Sequence, residues 1–154
     1  MKTLILGIGN PLLGDDGIGF HIAQELARQI QDENTDVKDT SVDGLNLLEL
    51  IIGYDRVIII DAIMTEGGEV GEIYKLRPED LAHTVHFTTS PHSINLAIAI
   101  EIGRKILAEQ MPEEIVVFAV DIKPVPTFTE EMTEKVRAAI PRAVSLILQE
   151  LSPA

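Results

Sequence analysis

The chain has 154 residues, a formal net charge of −13 and no cysteine. This length predicts a single domain over residues 1–154. The lack of cysteine excludes disulfides, thiolate metal sites and a cysteine nucleophile. An acidic surface repels phosphate backbones and anionic lipids, so we expect neither nucleic acid nor a membrane as a partner. The charge suits solubility alone, and also a basic protein partner or a cation.

The apolar segments are all short. None approaches the roughly 20 residues of a membrane span, and the apolar run that ends at Gly7 is too short for a signal peptide. These features predict a cytoplasmic protein. Because every apolar stripe is used by a predicted helix or strand, we expect a monomer that binds its partner transiently.

The first half of the chain alternates strand and helix. Apolar residues recur every four positions in the first helix, at Ile18, Ile22, Leu26 and Ile30. The second strand is polar and is expected at a sheet edge, whereas the third contains Val57–Ile60, a run typical of a central parallel strand. The predicted strands are residues 2–8, 36–42 and 56–61, and the predicted helices are about 17–31 and 45–52.

The second half continues the alternation. Pro141 should kink or break the last helix, because proline removes a backbone donor. The predicted elements are a strand at 70–76, a helical turn at 78–83, a polar loop at 84–90, a helix at about 92–110, a strand at 114–120 and a helix at about 130–151. The whole pattern predicts a three-layer α/β/α sandwich around a mainly parallel, five-stranded twisted sheet.

In such folds, functional sites lie beyond the carboxyl ends of the strands. The first strand leads into a loop with two acids, Asp15 and Asp16, and the central strand leads into Asp61. His92 stands in the opening turn of the long helix. Two carboxylates and an imidazole form a plausible ligand set for nickel, zinc or iron, with positions left open for water or substrate.

Each candidate also has a purely structural interpretation. One of Asp15 and Asp16 is expected to cap the following helix, which leaves the other free to project elsewhere. Asp61 lies at the rim of the core, where a carboxylate needs a partner. That partner is a backbone N–H of the loop, a metal ion, or a proton that Asp61 takes up as a general base. His92 is either a surface residue or a cleft residue.

The other polar residues and sequence motifs are weaker indications of a functional site. We interpret His21, His83 and His86 as solvated, and Asp39, Asp43 and Asp121 as turn or capping residues that make the site more negative. The loop after the first strand lacks the glycine spacing of a dinucleotide site and the Gly-Lys-Ser/Thr of a phosphate loop. No nucleophile-elbow serine motif occurs either.

Three motifs follow one another along the chain. The first is Gly7-x-Gly9-Asn10-x-Leu12-x-x-Asp15-Asp16-x-x-Gly19, the second Ile59-Ile60-Asp61-Ala62 and the third Ser90-Pro91-His92. Together these motifs resemble those of the hydrogenase maturation endopeptidases. Their order and separations agree with the family over the whole chain, and so does the total length.

The resemblance implies a three-layer α/β fold and an endopeptidase. Members remove a C-terminal extension from the large-subunit precursor of nickel-iron hydrogenases, after its metal centre is loaded. The metal-contacting positions of the family fall on Asp16, Asp61 and His92, which implies a divalent metal, nickel, that belongs either to the enzyme or to the substrate. Asn10 and Asp39 are weaker candidates for substrate recognition.

Some features depart from the family pattern and leave alternatives open. Asp39-Thr40-Ser41-Val42 replaces the family's Asp-Gly-Gly-Thr, a loop thought to recognise the partner, and the segment around Asp121 matches loosely. The alternatives are a metal-dependent chaperone or docking module for a hydrogenase subunit, and a paralogue with another substrate. Gly7-Ile8-Gly9-Asn10-Pro11 also resembles peptidyl-tRNA hydrolases, but the acidic charge disfavours tRNA.

Overall fold

The computed structural model describes residues 1–42, 44–83, 87–88, 91–123 and 131–152. For 82–83, 87–88 and 91–95 it describes the backbone only. The strands are β1 (Thr3–Ile8), β2 (Thr35–Thr40), β3 (Arg56–Thr65), β4 (Ile73–Leu76), β5 (Phe87–Thr88) and β6 (Glu114–Asp121). The helices are α1 (Ile18–Gln29), α2 (Leu48–Ile51), α3 (Pro78–His83), α4 (Pro91–Ile106) and α5 (Glu134–Leu151), with 3-10 helices at Pro11–Gly17 and Gly44–Leu47.

Five strands form the main sheet in the order β2-β1-β3-β6-β4. The first four of these are mutually parallel, whereas β4 pairs with β6 in the antiparallel sense. The mainly parallel, five-stranded sheet is therefore confirmed, and the polar second strand lies at an edge as predicted. The two-residue β5 adds a short antiparallel pair to the end of β3.

Alternate residues of the central strands face two separate apolar clusters, one on each side of the sheet. Leu6, Ile59 and Val117 face α2 and α4, whereas Ile5, Ile58 and Phe118 face α1 and α5. The predicted stripe of α1 is confirmed, because Ile18, Ile22 and Leu26 are fully buried. Helices on both faces make the three-layer sandwich.

The chain changes direction across the sheet between β1 and β3. From β1 it crosses through α1 to β2 at one edge, and it then returns past β1 through α2 to β3. A crevice forms at such a switch point, because the chain leaves β1 towards β2 at one edge of the sheet and leaves β3 towards β4 at the opposite edge. The carboxyl ends of β1 and β3 are therefore where the fold itself provides a site.

Glycine allows α1 to begin against this crevice. A Cβ atom on Gly19 would overlap the carbonyl oxygens of Ile8 in β1 and Ile60 in β3. Only glycine lets the first turn of the helix approach two strands this closely. The glycine at this position of the motif is thus required by backbone packing.

Several element boundaries differ from the predicted ones. The third strand does not end at Asp61, as predicted, but continues to Thr65, because β6 pairs with it as far as the Ile63–Asp121 pair. Pro141 does not break α5, which continues from Glu134 to Leu151. Within the described part of the chain, no helix has the length and apolarity needed to cross a membrane.

Candidate functional site

A cleft of about 190 Å³ lies at the carboxyl end of β1. It brings together two of the three predicted metal-contacting residues, Asp16 and Asp61. Residues from β1, the loop after it, the end of β2 and β3 line it: Ile8, Gly9, Asn10, Leu13, Asp16, Ser41 and Asp61.

Asp61 supplies a buried carboxylate inside β3. The pairing between β1 and β3 ends at Gly7–Ile60, so Asp61 lies one position beyond the point where these two strands separate. Asp61 is 8% exposed, and its Oδ1 accepts a hydrogen bond at 2.8 Å from the backbone N of the next residue, Ala62. Burial raises the pKa of Asp61 to about 8; the bond from Ala62 N opposes that rise, and the negative charge of Asp16 adds to it.

Asp16 belongs to the 3-10 helix that crosses above the end of β1. The side chain of Asn10 starts this segment by accepting a hydrogen bond from Leu12 N at 3.0 Å. The backbone N of Asn10 donates in turn to Asp16 Oδ2 at 3.2 Å. The loop thus folds back on itself and keeps the half-buried Asp16 in the cleft lining.

The prediction that one of the two loop acids caps α1 is wrong. The N-cap of α1 is Gly17, without a side-chain cap. Asp15 instead is buried, at 3% exposure, and accepts hydrogen bonds from Thr133 N at 2.7 Å and Thr133 Oγ1 at 3.0 Å. The idea that the two neighbours point in different directions is confirmed, since only Asp16 lines the cleft.

The backbone of His92 lies in the first turn of α4, as predicted. Further along this helix, Leu96 and Ile100 belong to the apolar cluster on one face of the sheet. Ile59 and Ile63, which lie two positions before and after Asp61 in β3, belong to the same cluster. The side chain of His92 lies outside the described part. Among the side chains that are described, no three histidine, cysteine, aspartate or glutamate residues are grouped to hold a metal ion.

The two candidates for substrate recognition lie in different places. Asn10 lines the cleft. Asp39 is exposed on β2 and accepts a hydrogen bond from Gln24 of α1 at 3.0 Å, so it belongs to the α1 face. Sequence reasoning missed Ser41 as a lining residue, although its position directly after β2 obeys the strand-end rule.

Asp121 is not a turn or capping residue. It is the last residue of β6, it is 1% exposed, and its Oδ2 accepts hydrogen bonds from the hydroxyls of Thr65 and Tyr74. Its burial follows from the length of β3, which extends far enough to cover it. Asp39 lies inside β2 rather than in a turn.

His21 is not simply solvated. Its Nε2 is buried, and its ring makes an edge contact with Phe20. Burial lowers the pKa of His21, and the positive charge of Arg137 lowers it further. The predictions for Asp43, for His86 and for the side chain of His83 concern groups outside the described part of the structure.

This geometry defines a class: an α/β protein with an acid pair in the crevice at its topological switch point. A family model described as hydrogenase maturation protease matches residues 20–150. The hydrogenase 2 maturation protease of Escherichia coli K12 is 35% identical over 98 residues, which are 63% of this chain and 60% of that protein. The protein FrxA of Pyrococcus furiosus is 31% identical over 144 residues, which are 88% of this chain and 95% of the length of FrxA.

A solved structure gives the same answer. The hydrogenase maturating endopeptidase HybD from E. coli superimposes with a TM-score of 0.82 at 28% identity, over 98% of this chain and 92% of that one. The chain belongs to the hydrogenase maturation protease family. The predicted resemblance and the predicted enzyme class, a peptidase, are confirmed at this level.

The buried Asp61 should make the metal-free protein less stable as pH rises. Its folded-state pKa of about 8 lies above the value of about 4 in an unfolded chain, so the folded state holds a proton that the unfolded state has lost. This stabilisation is complete below pH 4 and disappears as pH rises towards 8. We therefore expect Asp61→Asn, which stays neutral, to gain stability over the wild type by up to about 1.4 kcal/mol per pH unit between pH 5 and 7.

Urea unfolding at pH 5, 6, 7 and 8, with a chelator present, measures this difference. Asp32→Asn is the control, because Asp32 is exposed and does not line the cleft. A constant offset between Asp61→Asn and the wild type over this range would contradict the assignment of a proton to Asp61.

Proposed function

We propose that this protein is an endopeptidase that removes the C-terminal extension from the large-subunit precursor of a nickel-iron hydrogenase, after the metal centre of the precursor is loaded. The observation that carries the proposal is the pair of carboxylates, Asp16 and Asp61, in one cleft of a protein of this family. Two like charges that line one cleft, one of them buried, are unfavourable unless a proton or a cation accompanies them.

The proposed ligands of a divalent metal are Asp16, Asp61 and His92, and nickel is the proposed ion. Carboxylate oxygens with one imidazole suit such a cation, and the effect of Asp16 on the pKa of Asp61 supports a cleft that favours positive charge. The ion is a resident of the enzyme or is presented by the precursor as part of its substrate. When bound, such an ion lowers the pKa of a coordinated water or polarises the peptide carbonyl.

The carboxylates have a second capacity, which is to hold and move protons. A group with a pKa of about 8 exchanges its proton readily near neutral pH. We propose that in the metal-free cleft the ionised form of Asp61, a minority at neutral pH, accepts a proton from water as the water oxygen bonds to the peptide carbonyl carbon, and returns that proton to the amide nitrogen as the C–N bond breaks. The negative charge of Asp16 strengthens Asp61 as a base. This role would make the enzyme an aspartic-type peptidase.

The mouth of the cleft suits a polypeptide. The cleft volume of about 190 Å³ is too small to enclose an extended chain, so the substrate must also contact its rim. Two leucines in the same loop as Asp16 are exposed: Leu12 by 56% and Leu13, a lining residue, by 38%. We propose that they contact apolar residues around the scissile bond and that Asn10 hydrogen-bonds the substrate backbone.

Cleavage itself is the first test. A nickel-loaded large-subunit precursor from the same source is incubated with the protein and followed by intact mass spectrometry. The wild type should release one C-terminal peptide, whereas Asp16→Asn, Asp61→Asn and His92→Ala should each lower kcat/KM by about a hundredfold or more, because each removes a group at the reacting centre. Asp32→Asn should cleave as the wild type does.

Circular dichroism of each variant separates loss of catalysis from loss of fold. Normal cleavage by two of the three site variants would refute the assigned residues. A wild-type protein that binds the loaded precursor without cutting it would refute the endopeptidase and favour a docking or chaperone role.

The proposed contact between Leu12 at the rim of the cleft and the substrate is tested with a matched pair of variants. We expect Leu12→Ser to raise KM about tenfold with kcat nearly unchanged, because an exposed apolar contact contributes to binding of substrate and transition state alike. Ile106→Ser is the control, since Ile106 is 73% exposed at the far end of α4. Equal KM values for the two variants would contradict a role for the rim.

A further inference from the structure

The loop that carries Asp16 is tied to a distant part of the chain through Asp15. Both oxygens of this buried carboxylate accept hydrogen bonds from one residue, Thr133, through its backbone N and its hydroxyl. Thr133 is the N-cap residue of α5, 118 positions further along the chain. We call this pair of hydrogen bonds the Asp15–Thr133 tie.

Within the described part of the structure, this tie supplies the only side-chain hydrogen bonds between segment 10–17 and another element. The other side-chain bonds of the segment are internal, from Leu12 N to Asn10 Oδ1 and from Asn10 N to Asp16 Oδ2. Internal bonds fix the shape of the loop but not its position on the sheet. The position depends on the contacts of the loop backbone and on the tie.

The loop needs an anchor for two physical reasons. Its backbone is irregular, because Leu13 and Gly14 have non-helical φ and ψ angles in the middle of the 3-10 segment. In addition, Asp16 and Asp61 repel one another whenever both are charged. A loop with no anchor would relieve this repulsion by moving Asp16 outward, where water solvates its charge.

We propose that Asp15 is a positioning residue, whose two hydrogen bonds to Thr133 hold Asp16 against Asp61 and make the start of α5 part of the active-site framework. The tie acts through Asp16 and touches no substrate. Its effect on cleavage rests on the function proposed above, whereas its effect on the loop does not.

A hydrogen bond of equal burial could stabilise the fold without positioning anything, so a matched control is needed. Tyr54 OH donates to Asp36 Oδ2 at 2.5 Å, and neither residue lines the cleft. Tyr54→Phe therefore removes one side-chain hydrogen bond at a distance from the site. Thr133→Val removes only the hydroxyl bond of the tie, and Thr133→Ser keeps it.

Two measurements on the full-length protein test the proposal. The first is amide hydrogen exchange at Asn10, whose N–H is bonded to Asp16; the second is kcat and KM for the loaded precursor. For Asp15→Ala, which removes both acceptors, and for the milder Thr133→Val we expect about tenfold faster exchange and a ten- to hundredfold lower kcat, with KM within about twofold, because a small displacement of a reacting group lowers the rate steeply. Thr133→Ser and Tyr54→Phe should match the wild type in both.

The double variant adds a further criterion. Because both changes break one unit, Asp15→Ala with Thr133→Val should be no slower than Asp15→Ala alone. Unchanged exchange and kcat in Thr133→Val and Asp15→Ala, with only the stability loss seen in Tyr54→Phe, would overturn the proposal. If the wild type does not cleave the precursor, the proposed function fails, and the exchange at Asn10 still decides the tie.

Discussion

The burial of one ionisable group, the carboxyl of Asp61, is the constraint on which the site depends. The carboxylate lies inside β3, one position beyond the last pair between β1 and β3, so protein covers it while its cleft side is open. A carboxylate in such a place is stable only as an acid or beside a cation. The protein adds a second carboxylate, Asp16, to the same cleft, which strengthens that requirement. Hydrolytic chemistry uses the same two options, a proton carrier or a bound metal.

The fold provides this arrangement through the direction change between β1 and β3. Because the chain leaves these two strands towards opposite edges of the sheet, the loop with Asp16 can cross the end of β1 and reach the side of Asp61. Gly19 lets α1 begin directly against both strands. Asp15, next to Asp16, is directed towards α5 on the other side of the sheet. Two adjacent residues thus have different roles, since Asp16 lines the cleft and Asp15 anchors the loop.

Much of this could be predicted from the sequence, because it depends on local patterns. The apolar run Val57–Ile60 predicted a central strand, and the strand-end rule led to Asp16 and Asp61. The sequence could not show how far β3 continues, because that depends on its pairing with β6. For the same reason Asp121 was expected in a turn and is buried instead. The tie between Asp15 and Thr133 joins residues 118 positions apart, and no local pattern reveals such a contact.

Titration of Asp61 tests the central claim most directly. The side-chain carboxyl carbon is followed by ¹³C NMR from pH 3 to 10 in the metal-free wild type and in Asp16→Asn. The account predicts a wild-type midpoint near 8 and a lower midpoint in Asp16→Asn, because that variant removes the charge that disfavours ionisation. A wild-type midpoint near the ordinary aspartate value of about 4, unmoved by Asp16→Asn, would contradict a buried carboxylate coupled to its neighbour in the cleft.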